Sequence, residues 1–109
     1  ADINTPDKDG ATPVFIAAQN GYADAIKVLA ELGADVNTPN NNGETPVFVA
    51  SYKGHADTIK VLAELGADVN TPNKDGETPV SIATQNGHAD VISILNEFEA
   101  NKNYFCSIS

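Results

Sequence analysis

His55 and His88 stand 33 residues apart, and a pair of imidazoles is the simplest start for a metal site or for general acid–base chemistry. Tyr22 occupies the same place 33 residues before His55, so the position does not demand an imidazole. Stacked units would also hold the two rings about 10 Å apart, too far to share an ion. Asp24, Asp57 and Asp90 recur in the same register. Each falls in the first turn of an expected helix, where negative charge complements the helix dipole without any proton transfer. Asp7-Lys8-Asp9-Gly10 begins like a calcium loop but lacks the further oxygen ligands and the distal glutamate. No G-x-S-x-G, phosphate loop or Cys-x-x-Cys occurs. We expect no metal, no cofactor and no enzymatic activity.

The elements that would position these residues come from a chain of 109 residues, enough for one domain. Six lysines, no arginine and 15 Asp and Glu leave a net charge of -9. Such a surface repels phosphate backbones and anionic headgroups, since their affinity comes mainly from Lys and Arg displacing counterions. Nucleic-acid binding is therefore not expected. No apolar run is long enough to span a bilayer and no signal-like start is present, so stable membrane insertion is not expected either. One cysteine and no Asn-x-Ser/Thr site give no sign of an oxidising compartment. An intracellular, cytoplasmic monomer is the expectation.

The chain repeats itself with a period of 33: residues 2–34, 35–67 and 68–100 align without insertion, leaving 101–109 as a C-terminal tail. Three near-copies at one spacing mark a solenoid. Thr12-Pro13, Thr45-Pro46 and Thr78-Pro79 each supply an N-cap hydroxyl and a proline at the first helical position. The first helix of each unit then carries apolar residues, in the first copy Val14, Ile16, Ala17 and Ala18, and stops at Gly21, Gly54 or Gly87. A second helix follows, with Ala25, Ile26, Val28, Leu29 and Leu32 on one face. Gly33 ends it, and an extended arm with a Pro-Asn-Asn-Asn-Gly turn forms a hairpin-like finger before the next unit. Ile26, Leu29, Ile59, Leu62, Ile92 and Leu95 are the expected continuous core. In the third unit Ser93, Asn96 and Glu99 replace Lys, Ala and Gly, a pattern suited to a capping repeat. The start resembles the middle of a connection, and further repeats upstream are expected.

G-x-T-P-V, A-x-x-x-G-H and G-A-D-V-N, in order within 33 residues, resemble the ankyrin repeat over nearly the whole chain. The resemblance implies a mainly α solenoid of three helix-turn-helix units joined by β-hairpin-like fingers. It also implies a concave face that binds another protein. The family's histidine after T-P-L is Phe15, Phe48 and Ser81 here, so its hydrogen bonds are not expected. Positions that vary between units are those the stacking leaves free. At the finger tips these are Lys8 and Asp9, Asn41 and Asn42, and Lys74 and Asp75; after each tip glycine comes Ala11, Glu44 or Glu77. At the ends of the first helices they are Gln19 and Asn20, Tyr52 and Lys53, and Gln85 and Asn86. All of these are candidate partner-binding residues, with Tyr52 and Lys53 as the candidate anchor. The acidic surface favours a basic partner.

Two modification patterns complete the reading. The residues around Asn37 and Asn70 resemble those of asparagines hydroxylated in ankyrin proteins, although bracing of the local turn explains them more simply. Cys106-Ser107-Ile108-Ser109 has the form of a C-a-a-X lipidation box, with Lys102 as the sole basic residue nearby. The simpler expectation is that Tyr104, Phe105 and Ile108 fold back over Leu95 and Phe98. The six Thr-Pro pairs are explained by caps and turns. The chain is read as a non-enzymatic protein-binding module. The alternatives are a structural segment of a longer ankyrin scaffold and a prenylated, membrane-tethered adaptor.

Overall fold

The computed structural model describes residues 3–108, with side chains through Glu99. Six helices follow one another: α1 (Pro13–Asn20), α2 (Ala23–Glu31), α3 (Pro46–Lys53), α4 (Ala56–Glu64), α5 (Pro79–Gln85) and α6 (Ala89–Ile108). The threonine caps form as read. The Phe15 N–H donates to Thr12 Oγ1 at 3.2 Å, Phe48 to Thr45 at 3.1 Å and Ser81 to Thr78 at 3.2 Å. Ser81 also accepts the Thr78 N–H at 2.8 Å, closing a capping box. The third unit therefore makes a bond at this position that phenylalanine cannot.

The helices form two layers, α1–α3–α5 and α2–α4–α6, with each unit packed on its neighbours. Val14, Val47, Ile26, Ile59, Leu62 and Val91 are fully enclosed between them. Leu29 and Ile92, expected in the core, are only partly buried. The copies of Leu29, Leu62 and Leu95, are buried in units that follow another unit, and the copies of Ile92, Ile26 and Ile59, in units that precede one. The same asymmetry separates Val28, 54% exposed, from its copy Val61, 9% exposed. Ile16, one of the apolar residues of the first helix, is 41% exposed, whereas its copies Val49 and Ile82 are buried.

Among the described residues there is no β-strand. Each finger is instead a tight loop closed by a backbone bond: Asp7 N–H to the Ala11 carbonyl, Asn40 to Glu44 and Asn73 to Glu77, all at 2.9 Å. Successive fingers are joined at their tips by Asn41 N–H to the Asp9 carbonyl and Lys74 N–H to the Asn42 carbonyl, each at 3.0 Å. These isolated bonds do not propagate into a ladder, because the bend at Pro39 and Pro72 removes the next donor.

The histidines tie one unit to the previous one. His55 Nε2–H donates to the Gln19 carbonyl at 3.1 Å and His88 Nε2–H to the Tyr52 carbonyl at 3.0 Å. Each ring lies against the glycine that ends the preceding unit's first helix, and a Cβ on Gly54 would sit 2.8 Å from the His88 ring. Glu99, where the other units have glycine, lets α6 run on through Ile108, across the boundary between repeat and tail at residue 100. The backbone there extends and does not reverse, so the tail does not fold back over Leu95 and Phe98.

Leu62→Ala is expected to destabilise the chain by about 2–5 kcal/mol in urea melts, because the enclosed site cannot collapse. Leu29→Ala should cost less, since Leu29 is only partly buried. Gly54→Ala and Gly66→Ala both force alanine into a left-handed conformation, at φ of 83° and 96°. Only the first also strikes a histidine, so its melting temperature should fall further.

Candidate binding groove on the concave face

Between the first two fingers and helices α1 and α3 lies an open groove of about 490 Å³. Phe15, Ile16 and Val49 contribute its apolar surface, and Asp7, Asp9 and Glu44 its charge. Ala11, Gln19, Asn40, Asn41 and Asn42 complete it. A smaller depression shares Gln19, Glu44 and Val49 with this groove and continues it to Phe48, Tyr52 and Lys53. Tyr52 is 49% exposed, and Lys53 Nζ lies 5.7 Å from its ring centroid, a cation–π contact at the end of the groove.

Local chemistry fixes the rim. In the second unit Glu44 N–H donates to Asn40 Oδ1 at 3.0 Å, while Asn40 Nδ2 donates to Glu44 Oε1 at 2.9 Å. Asn73 and Glu77 repeat this reciprocal clasp in the third. In the first unit Asp7 stands in the asparagine's place and accepts the N–H groups of Asp9 and Ala11 at 2.9 Å each. Ala11 has no side chain with which to complete the clasp. The space that a glutamate fills elsewhere is therefore open, and the residue beside it is charged instead of neutral.

Of the sequence-predicted residues, Asp9, Ala11, Gln19, Asn41, Asn42, Glu44, Tyr52 and Lys53 come together along this groove. Lys8 stands outside it, with its carbonyl accepting from Asn41 Nδ2 at 3.1 Å. Asn20 and Asn86 turn back on their own helices, bonding the Ile16 and Ile82 carbonyls at 3.0 Å each. Lys74, Asp75, Glu77 and Gln85 belong to the third unit and line neither depression. Asp7 and Asn40, read as finger-tip positions, line it too, whereas sequence reasoning missed Phe15, Ile16 and Val49. Ile16 lies one helical turn before Gln19, and that spacing on a face already read as variable was the available signal.

The two asparagines resembling hydroxylation targets have structural partners beyond their own turns. Asn37 Oδ1 accepts the Asp68 N–H at 2.9 Å, as Asn4 does for Asp35 at 3.0 Å. The local brace is the aspartate, with Asp35 and Asp68 accepting from Asn37 and Asn70 two residues on. Asn70 donates instead to the Glu99 carboxylate. The side chain of Cys106 lies outside the described residues. Among the described residues no helix is long and apolar enough to cross a membrane.

The family model for ankyrin repeats in three copies matches residues 1–73. The chain belongs to the ankyrin repeat family. Ankyrin repeats are in general protein–protein interaction modules and are typically non-enzymatic. The match ends inside the third unit, whose place in the ankyrin array rests on its 33-residue register and on the packing of α5 and α6 against α3 and α4. A comparison with curated proteins gave no match.

Asn37→Ala should lower stability by about 0.5–1.5 kcal/mol, the usual net value of one such hydrogen bond. Hydrogen exchange at the Asp68 amide should accelerate in that variant while the helix interiors stay protected. An unchanged Asp68 amide would show that the asparagine does not join the repeats.

Proposed function

We propose that this ankyrin array is a non-enzymatic module that holds a partner protein in the concave groove between its first two units. The observation that carries the reading is that two departures from the repeat fall on one surface. Ala11 in place of glutamate opens the groove, and Tyr52 in place of glutamine stands at its end. Neither change serves stacking, since the other units pack with the alternative residue at the same place. Tyr52 presents a large ring at low conformational cost, and its neighbour Lys53 keeps it flanked by charge, which is the composition of an interface anchor.

A photo-crosslinking residue placed at position 52 should form discrete adducts with the partner in cells, whereas the same residue at position 60, on the outer surface of α4, should not. Tyr52→Ala should weaken association by about 1–2 kcal/mol or more and leave the melting curve nearly unchanged, because the ring is half in solvent. Equal affinity before and after the change would move the binding surface elsewhere.

A further inference from the structure

The lining of the main groove is chemically one-sided. It carries three carboxylates, on Asp7, Asp9 and Glu44, and no cationic side chain. Beside them Phe15, Ile16 and Val49 supply an apolar floor. The carboxylates are not arranged for a metal ion: among the described residues no group of three or more His, Cys, Asp or Glu is placed to hold one. Asp7 Oδ1 is already engaged by two backbone N–H groups and Glu44 Oε1 by the Asn40 amide. Oxygens held this way keep a fixed position and remain acceptors for a long, flexible cationic side chain arriving from outside. An apolar floor next to a fixed acidic rim matches a basic and an apolar side chain presented together.

The groove is also open along its length toward Tyr52, so its occupant is an extended segment and not a compact small molecule. Resting on the reading of this groove as the binding surface, we propose that it seats a stretch of partner chain in which lysine or arginine alternates with a large apolar residue. The apolar side chain lies on Ile16 and Val49, in the space that Ala11 leaves. The cationic side chain meets the carboxylates of Asp9 and Glu44. The charges speed encounter and set the choice of partner, while the apolar side chain supplies the affinity that exposed ion pairs do not.

The test uses the 15N-labelled chain and three end-blocked ten-residue peptides: lysine alternating with leucine, the same with serine for leucine, and the same with glutamate for lysine. The Lys/Leu peptide should give saturable shifts at the amides of Ala11, Ile16, Gln19, Glu44 and Tyr52, weakening as salt rises from 50 to 300 mM. The Lys/Ser peptide should bind at least tenfold more weakly, and the Glu/Leu peptide should not saturate. Ala11→Gln fills the space without adding charge and should cost at least tenfold in affinity for the Lys/Leu peptide. Ile16→Ser, with its fold checked by an unchanged far-UV CD spectrum, should do the same. Equal binding by the Lys/Ser and Lys/Leu peptides, no saturation by any peptide, or indifference to both variants overturns the proposal. Occupation of the same amides by the Glu/Leu peptide overturns the partner chemistry alone. Shifts confined to α2 and α4 overturn the groove reading with it.

Discussion

No unit of this chain can bury its own apolar surface, and every other feature follows from that constraint. In the first two units the helices are only eight or nine residues long, too short to hold together in isolation. Each pair is stable because its neighbour covers it. Val61 is shielded by the first unit and its copy Val28 is not; Ile26 and Ile59 are each enclosed beside the unit that follows, while Ile92 is only partly buried. Burial is decided by position in the stack, not by residue type.

Polar bonds follow the same logic. Asn4 and Asn37 each hold a backbone N–H of the next unit, His55 and His88 each hold a carbonyl of the previous one, and the finger tips exchange backbone bonds in register. All of these join residues about one repeat apart in sequence, so each ties only adjacent units. Stability is then a sum over neighbouring contacts, as in other one-dimensional arrays. At the third unit the scheme is altered in a consistent way. Asn70 turns to Glu99, and the same substitution that supplies this carboxylate removes the glycine that stopped the helix in the other two units.

Because stacking consumes a defined set of positions, the concave positions left over are free to vary without unfolding the array. Ala11 and Tyr52 use that freedom. The Asn40–Glu44 and Asn73–Glu77 clasps show what the unmodified finger does with its rim, namely satisfy it internally. In the first unit Asp7 makes the same backbone brace, but Ala11 brings no carboxylate to close the clasp. The proposed binding surface thus rests on the removal of a side chain at Ala11 as much as on the addition of one at Tyr52.

The period, the threonine caps, the proline starts and the glycine stops are local signals, and they determined the six helices and their order from sequence alone. The turn position of His55 and His88 was legible in the same way, since Tyr22 replaces them. What each imidazole bonds was not, because its partner carbonyl lies 36 residues away. The same limit explains Asn37: a local turn accounts for the residue type, but only the stack brings Asp68 within reach. Ile16 shows it most clearly. Its sequence pattern is that of Val49 and Ile82, yet which of three equivalent apolar residues stays in water depends on which is covered by a preceding unit. Sequence determines what a repeat is; the tertiary arrangement decides which faces of identical repeats meet each other and which meet solvent.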